Sequence, residues 1–275
     1  MLASSAFMPR RRATCPMCRT DGALLIEVGT LRPTHPGPFH VDRFTMEHCR
    51  ECQCMFLTPA PNGDDLRTLY LDSEQFESHE YSEARAGAIL EYLTTAIHGR
   101  RLLPPGRARC LEVGAGRAWM SRACKAQRGT VVTVAQDVSP EAARSCPWVD
   151  RYHVGELGAL TDEAPFDLIS LTHVIEHLVD PLATLVQLAA RLAPGGKLFV
   201  TAPFRPEGWP VRGYDLDVWR RYSYLHVPAH ISYLSRRWFE KAQSKAGLRL
   251  EFWDQTADRC QAFEAVLANV TVAER

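Results

Sequence analysis

The sequence predicts an α/β protein: a doubly wound seven-stranded sheet with an antiparallel edge hairpin, preceded by a small β-rich unit that binds a metal ion. Three observations carry this prediction. Apolar strands alternate with helices from residue 108 onward, two Cys-x-x-Cys pairs lie within the first 52 residues, and the 275-residue chain is 46% hydrophobic and 23% charged. That composition is typical of a globular protein of about two domains and excludes a disordered or collagen-like chain.

The first unit is defined by its cysteines. Five of the nine cysteines lie between residues 15 and 54, and Cys15–Cys18 and Cys49–Cys52 form two pairs around predicted strands 23–28 and 39–48. Four thiolates make a closed tetrahedral site, and a unit of this size buries too little apolar surface to fold without one. We therefore predict a structural zinc ribbon over residues 1–62 with Cys15, Cys18, Cys49 and Cys52 as ligands. Its spacing exceeds the compact pattern, so inert buried cysteines, or Cys54 or His48 as fourth ligand, remain alternatives.

The remaining chain divides into a linker, residues 63–83, with a short helix at 64–71, and a second domain, residues 84–275. Its apolar periodicity predicts a helix at 84–100 and then alternating strands and helices. Asp180 followed by Pro181, and Ser235, are typical of helix starts. The predicted strands are 109–114, 130–136, 151–154, 166–174 and 197–203, with a closing hairpin at 248–253 and 263–270; the predicted helices are 117–128, a short one opened by Ser139-Pro140, one from 181 and one at 235–246.

Two acidic positions mark the binding edge of this sheet. The first strand ends in Glu112-x-Gly114-x-Gly116, and Trp119 stands where a dinucleotide fingerprint needs a third glycine. A carboxylate in this turn suits a cationic group such as an amino-acid ammonium better than a pyrophosphate. Asp137 ends the second strand, where a carboxylate accepts hydrogen bonds from two ribose hydroxyls.

These motifs resemble those of class I S-adenosylmethionine-dependent methyltransferases, which have a Rossmann-like fold. The segments that carry the resemblance are LEVGAGRAW, QDVSPEA, FDLISLTHVIEHLVDP and LAPGGKLFVTAP, within residues 84–270. CPMC, then CRECQCMFLTPAP and LY, is similar to the zinc ribbon that precedes methyltransferases of sugar, surface-polysaccharide and secondary-metabolite pathways. The resemblance implies a small-molecule acceptor and these cofactor-binding residues: Glu112, Gly114, Ala115, Gly116, Asp137, Glu156, Leu157, Thr172 and His173.

The resemblance also implies which part of S-adenosylmethionine each of these residues would contact. The turn around Gly114 would hold the methionine end, Asp137 the ribose, and Glu156 or Leu157 the adenine, while Thr172 and His173 would lie against the cofactor. A solvated loop acid is the alternative for Glu156, and a helix N-terminal acid is the alternative for Asp137.

The catalytic candidates are His230 first and His177 second, because an imidazole with a pKa near neutrality suits proton removal from a hydroxyl. The run from His173 to His177 resembles the E-x-x-E-H run of metal-assisted quinone-precursor O-methyltransferases. His173 replaces its first acid, and Mg²⁺ prefers oxygen ligands, which disfavours metal-assisted catalysis. The alternative for His177 is a residue that shapes the site.

Carbon methylation is disfavoured by a second comparison. Sugar C-methyltransferases that this chain resembles carry a Tyr-x-Glu-His run that supplies the base. His230 matches its histidine, but Val227 and Ala229 replace the tyrosine and glutamate. We therefore predict O-methylation, with a packing histidine as the alternative for His230.

The segment 204–224 is predicted to be a lid over the acceptor. It is rich in aromatic residues, and arginines 205, 212, 220 and 221 would clamp an anionic acceptor such as a nucleotide-linked sugar, unless they form a solvated face. The aromatic residues are Phe204, Trp209, Tyr214, Trp219, Tyr222 and Tyr224.

Charge and hydropathy limit the classes of partner that the protein can have. Lysines and arginines number 32, as do aspartates and glutamates, and residues 1–60 carry seven arginines against five acids. Nucleic-acid binding draws on basic excess, so an RNA methyltransferase is the weaker alternative. A non-catalytic scaffold that binds the cofactor is the other alternative function. No apolar run approaches the ~20 residues that span a bilayer, and we expect a cytoplasmic protein. The oligomeric state stays undetermined.

Overall fold

The chain forms two β-sheets flanked by six helices in the part that the structure describes. A computed structural model describes residues 9–34, 37–71, 83–140, 143, 146–160, 165–206, 209, 215–255 and 262–270. None of the helices in these ranges is long and apolar enough to cross a membrane.

The N-terminal sheet is antiparallel and has five strands in the order β1-β2-β3-β4-β10. Its strands are β1 (Arg10–Ala13), β2 (Ala23–Leu31), β3 (Phe44–Cys49), β4 (Met55–Thr58) and β10 (Ser232–Tyr233). β3 begins five residues later than the predicted strand. The amide and ring of His40 form hydrogen bonds with the Asp65 carboxylate, so this residue does not pair with a neighbouring strand. Strands β1, β4 and β10 were not predicted, since each is too short to show a period of its own.

The second sheet confirms the predicted fold class. Its order is β11-β12-β9-β8-β5-β6-β7, and β12 runs antiparallel to both of its neighbours. The predicted hairpin is present, with β12 inserted beside β9 and β11 at the edge. The strands are β5 (Arg109–Val113), β6 (Val132–Asp137), β7 (Arg151–Val154), β8 (Phe166–Thr172), β9 (Leu192–Pro203), β11 (Leu248–Asp254) and β12 (Ala262–Asn269).

The strand order reverses at β5, which pairs in parallel with β6 on one side and β8 on the other. Connections that leave β5 and β8 therefore diverge and open a crevice at their carboxyl ends. Open α/β sheets bind ligands at such a switch point. The Gly-rich turn after β5 lies at this crevice.

Five of the six described helices begin within two residues of their predicted starts, and α5 lies in the segment predicted as a lid. The Asp180 carboxylate accepts a hydrogen bond from the Ala183 amide at 3.1 Å, and Ser235 accepts one from the Trp238 amide. The short helix predicted after Pro140 falls mostly outside the described residues. The helices are α1 (Gly63–Tyr70), α2 (Glu83–Gly99), α3 (Trp119–Gln127), α4 (Pro181–Ala189), α5 (Leu216–Arg220) and α6 (Arg236–Ala246), with 3₁₀ turns at Leu157–Ala159 and Ile175–His177.

The cysteine knuckles dock on α6. The Trp238 indole donates to the Met17 carbonyl at 2.8 Å, and Lys245 donates to the Cys18 carbonyl at 3.0 Å. The Ser235 hydroxyl, which caps α6, also donates to the Cys52 carbonyl. These buried contacts join the N-terminal sheet and the second domain into one hydrophobic core.

Candidate functional site

Glu112 holds the start of α3. Ala118, at the N-cap position, has no side chain to cap the helix, and the two Glu112 oxygens accept the amides of Met120 and Ser121 at 3.0 and 2.8 Å. Burial raises the pKa of Glu112 to about 7 despite these hydrogen bonds. Each carboxylate oxygen keeps a second lone pair for a ligand cation.

The turn between β5 and α3 requires glycine at position 114. Gly114 has φ of +58°, and a Cβ there would lie 2.6 Å from the Val174 side chain. Gly116 also has a positive φ, of +49°, but a Cβ there meets nothing within 4 Å. The turn therefore packs closely against Val174 in the loop that follows β8. This contact joins the loops after β5 and β8, on the two sides of the crevice.

We expect Gly114→Ala to destabilise the protein by about 2–4 kcal/mol, from overpacking plus a strained φ. Gly116→Ala is the matched control, because it shares the positive φ without the clash, and it should cost about 1–2 kcal/mol. Thermal or urea unfolding measures both. Equal losses in the two variants would contradict the close approach to Val174, whereas partial rescue by Val174→Ala would support it.

Asp137 ties β6 to the same turn. Its carboxylate accepts the Gly116 amide at 2.8 Å and the Ser139 amide at 2.9 Å. The Ala115 amide donates to the Gln136 carbonyl at 2.9 Å. The half-buried Asp137 carboxylate is thus held at the carboxyl end of β6.

Two aromatic side chains that the sequence reasoning missed support this turn. The Tyr152 hydroxyl donates to the Gly116 carbonyl at 2.8 Å, and the Trp148 indole donates to the Ala118 carbonyl at 2.9 Å. Neither shows a motif in the sequence, because their contacts are with backbone atoms 30 and 36 residues away. After β7, Glu156 is exposed and Leu157 is half-buried.

The carboxyl end of β8 carries the remaining predicted cofactor residues. The Thr172 hydroxyl oxygen is buried and has no hydrogen-bond partner among the described residues. His173 adopts φ of +55°, a strained conformation for a residue with a Cβ, and its amide donates to the Thr201 carbonyl at 2.8 Å. Such strain concentrates at ligand sites.

His177 and His230 lie edge to face, with ring centroids 4.8 Å apart, although 53 residues separate them in the sequence. Nδ1 of His177 lies 2.7 Å from the Tyr70 hydroxyl and 2.8 Å from the Ala229 carbonyl oxygen. Nδ1 of His230 lies 2.7 Å from the Tyr224 carbonyl oxygen. The fold thus brings both predicted histidines to one place, beside Tyr70 from α1.

A buried carboxylate completes this cluster. Glu176 is 1% exposed, and its Oε1 lies 3.6 Å from His173 Nδ1 and 3.8 Å from His177 Nε2. Burial alone would raise the pKa of Glu176, but the neighbouring histidines, His177 foremost, hold it at about 2. Burial, and after it the electrostatic effect of His177, lowers the pKa of His230 to about 3.

The four predicted zinc ligands converge in the N-terminal unit. The sulfurs of Cys15, Cys18, Cys49 and Cys52 all lie within 4.8 Å of one another, and those of Cys15 and Cys52 are 3.9 Å apart. Tetrahedral Zn–S bonds of about 2.3 Å place sulfurs about 3.8 Å apart, so the cluster fits the ion. Hydrogen bonding within the group lowers the pKa of Cys18 and raises those of Cys15 and Cys52.

Cys54 and His48, the alternatives for the fourth zinc ligand, lie outside that group of four cysteines. The Cys54 sulfur contacts the Cys52 carbonyl at 3.8 Å, and the His48 ring packs edge-on against Trp209, with centroids 5.3 Å apart.

The described part of segment 204–224 differs from the predicted lid. Trp209, Trp219 and Tyr222 are buried in a core cluster with the N-terminal sheet. Arg220 is exposed and paired with Asp217 at 2.8 Å within α5. Tyr214 and Arg212 lie outside the described residues. The aromatic residues are therefore held by packing, since the N-terminal sheet offers an apolar face that needs cover.

Relatives in sequence match part of the chain. A ubiquinone biosynthesis O-methyltransferase of Xylella fastidiosa (strain 9a5c) is 37% identical over 125 residues, which cover 41% of this chain and 46% of that protein. Its counterpart in Xanthomonas campestris pv. campestris (strain B100) is 38% identical over 111 residues, covering 37% of this chain and 45% of that one. The chain thus spans less than half the length of these relatives.

A solved structure shares the fold. The plantazolicin methyltransferase BpumL in complex with SAH superposes with a TM-score of 0.54 at 12% identity, over 73% of this chain and 91% of that chain. The family model described as a methyltransferase domain matches residues 81–251, more than half of the sequence. Together with the Gly-rich turn at the switch point, this match carries the assignment. The chain belongs to the methyltransferase-domain family and has the doubly wound α/β fold of class I methyltransferases.

Proposed function

We propose that the protein transfers a methyl group from S-adenosylmethionine to a hydroxyl oxygen of a small-molecule acceptor. The observation that carries the proposal is the paired His177 and His230 beside half-buried aromatic rings, past the carboxyl end of β8. Relatives named as O-methyltransferases are consistent with it. The acceptor and the atom methylated are both part of the proposal.

The cofactor site is proposed from the residues around the Gly-rich turn. When bound, S-adenosylmethionine supplies an electrophilic methyl group on a sulfonium. The Asp137 carboxylate suits the ribose hydroxyls, and the Glu112 carboxylate suits the methionine ammonium. The buried Thr172 hydroxyl, which has no partner among the described residues, leaves a hydrogen bond to be made by a ligand. The residues present therefore fit this cofactor, and Gly114, Ala115, Gly116, Glu156, Leu157 and His173 remain its other proposed contacts.

His230 is the proposed general base. Its Nδ1 lies at hydrogen-bond distance from the Tyr224 carbonyl, which only accepts, so Nδ1 carries the ring proton. The lone pair of the neutral imidazole then lies on Nε2, where a hydroxyl proton can be received. Because its low pKa makes His230 a weak base, it suits an acidic hydroxyl such as a phenol better than an alcohol.

The lining around the histidines favours a planar acceptor. The His173 and Tyr224 rings stack with centroids 6.3 Å apart; His173 is exposed and Tyr224 is half-buried. His226 and Tyr70 add two further half-buried rings. Aromatic faces stack well on a flat ring. A hydroxylated aromatic ring is therefore the acceptor that this lining suits best, ahead of a nucleotide-linked sugar.

We also propose that Cys15, Cys18, Cys49 and Cys52 bind one structural zinc ion. The close approach of their sulfurs and the burial of all four support this. Four protein ligands leave no open position for a substrate, so the ion would serve folding and not catalysis.

Methyl transfer is tested with S-adenosylmethionine carrying a labelled methyl group. The full-length protein is incubated separately with catechols, nucleotide-linked sugars and total RNA, and methylated products are identified by mass spectrometry. Label on a phenolic oxygen supports the proposal. Label in RNA, or on a sugar carbon, would overturn it, and cofactor binding without turnover of any acceptor would favour a scaffold.

Asp137→Ala is expected to weaken S-adenosylmethionine binding by about 1.5–3 kcal/mol, since hydrogen bonds to a charged partner are in that range when lost. Calorimetry on the folded variant measures the affinity. Asp217→Ala, which removes an exposed acid of α5, is the control and should bind normally. Unchanged affinity in Asp137→Ala would move the ribose-binding carboxylate to another residue.

A further inference from the structure

We propose that Glu176, His177 and His230 form a second metal site, which takes a divalent ion of the zinc class and, when filled, blocks the proposed base. The ligand atoms of these three side chains all lie within 4.8 Å of one another. Binding of the ion does not depend on the proposed function. Its effect on methyl transfer rests on that function, in which His230 receives the proton.

The Glu176 carboxylate is buried without a partner. It is 1% exposed, and neither oxygen accepts a hydrogen bond from the described residues. Buried carboxylates are normally paired or coordinate a metal ion, because an isolated charge in such a place is costly. Oε1 lies 3.8 Å from His177 Nε2, which is too far for a hydrogen bond. Two ligand atoms of one tetrahedral zinc ion lie roughly 3.3–3.5 Å apart, so this spacing suits an ion held between the two groups.

Nδ1 of both histidines already has a partner. His177 Nδ1 lies 2.7 Å from the Tyr70 hydroxyl and 2.8 Å from the Ala229 carbonyl oxygen, and His230 Nδ1 lies 2.7 Å from the Tyr224 carbonyl oxygen. Nε2 is therefore the nitrogen of each ring that remains for a ligand. Histidines that bind metal ions are usually fixed in this way, with the other ring nitrogen bonded to a carboxylate, a backbone carbonyl or water.

Two imidazole nitrogens and one carboxylate oxygen select the class of ion. Imidazole suits zinc and the neighbouring transition metals, whereas Mg²⁺ prefers oxygen ligands. The set differs from the E-x-x-E-H run, because His230 comes from a distant segment and supplies nitrogen in place of the first acid of that run. His173, at that first position, is 41% exposed and lies outside the group of three. Since the group has one ligand fewer than the four cysteines, its ion should bind more weakly and fill the site only when supplied.

A filled site removes the proton acceptor. A neutral imidazole has one lone pair, and the contact between His230 Nδ1 and the Tyr224 carbonyl leaves that lone pair on Nε2. An ion that holds Nε2 prevents it from receiving the proton of the acceptor hydroxyl. Methyl transfer therefore requires the form of the protein without the second ion.

Binding is tested with Co²⁺ alone, added to full-length protein whose cysteine site is already filled with zinc. Co²⁺ takes the same ligands as Zn²⁺, and its absorption spectrum distinguishes nitrogen and oxygen ligands from thiolates. We expect one further equivalent without thiolate bands. Glu176→Gln and His230→Gln should each weaken its binding at least about 10²-fold, because loss of an outer-shell partner alone costs about 10–100-fold. His153→Gln, which changes a half-buried histidine of β7 outside the group, is the matched control and should bind Co²⁺ normally.

Several outcomes would overturn the site: no second equivalent in the wild type, thiolate bands from the second ion, unchanged affinity in Glu176→Gln and His230→Gln, or tighter binding of Mg²⁺ than of Co²⁺. Glu176→Asp keeps the carboxylate and should retain part of the affinity, and circular dichroism checks that each variant folds.

Activity gives the second readout once an acceptor is known. One equivalent of Zn²⁺ at the second site should lower kcat at least about tenfold, since a positioned base contributes about 10²–10⁴-fold, and a mild chelator should restore it. A higher rate with the second ion bound would overturn the blocking effect. The Co²⁺ spectra need no turnover, so failure of O-methylation and failure of metal binding are separate results.

Discussion

Cys52→Ser is expected to abolish the proposed zinc binding and unfold the N-terminal sheet. Structural zinc sites contribute about 10–16 kcal/mol of binding free energy, most of which is folding free energy in a unit this small. Even a net loss of about 5 kcal/mol would lower the Tm by roughly 10–20 °C. Metal analysis of protein purified without added zinc, followed by thermal unfolding, measures both effects.

Cys54→Ser provides the matched control for this experiment. Cys54 is as buried as Cys52 and two residues away, but its sulfur lies outside the group of four. We expect this variant to keep about one zinc equivalent. If wild-type protein held no zinc and its four thiols reacted freely in the native state, the zinc ribbon would be refuted. Zinc loss in Cys54→Ser instead would change the ligand set.

Loss of the proposed zinc ion should also disturb the segment that carries His230. β10 pairs with β4 two residues after His230, and Ser235 donates to the carbonyl of Cys52. Unfolding of the N-terminal sheet therefore removes the support of the segment that carries the proposed base. We expect Cys52→Ser to lose methyl transfer along with its metal.

His230→Ala is expected to lower kcat by at least about 10²-fold, because a positioned general base contributes about 10²–10⁴-fold. Affinity for S-adenosylmethionine should stay nearly unchanged, since the interaction lost belongs to the transition state. Single-turnover kinetics and calorimetry measure the two quantities. His153→Ala, which removes a half-buried histidine of β7, should leave kcat near wild type.

A kcat within about threefold of wild type would show that His230 only packs. The proposed base would then be His177. Near-normal activity in both single variants would leave positioning of the acceptor as the main source of catalysis.

The titration of His230 predicts how kcat and the folding stability change with pH. Its folded pKa, lowered to about 3 by burial and by His177, lies below the ordinary value of 6.5. His230 is therefore neutral and able to accept a proton at every pH above about 4, and its titration should not reduce kcat between pH 5 and 8. The stability that this group contributes is complete above pH 6.5 and is lost as the pH falls toward 3.

Local patterns in the sequence were sufficient to predict the second sheet, the Gly-rich turn after β5 and the approach of the four cysteines. Helix caps at Asp180 and Ser235, the Glu112–Gly116 turn and the paired cysteines each depend on residues within a few positions of one another. Such features are set by backbone geometry and short-range hydrogen bonds, which one sequence displays directly. The methyltransferase fold followed from their order.

The histidine cluster was decided by tertiary structure. Tyr70 ends α1, Glu176 and His177 follow β8, and His230 precedes β10, so more than 150 residues lie between the first and the last. No periodicity or spacing links them, because their meeting depends on which elements pack together and on β10 pairing with β4. The sequence by itself determined the strands of the second sheet, the helix caps, the Gly-rich turn and the candidate metal ligands. Only the packing of the N-terminal sheet against the second sheet brought Tyr70, Glu176 and the two histidines together. Contacts between distant elements depend on the burial of complementary surfaces, so they leave no local pattern in the sequence.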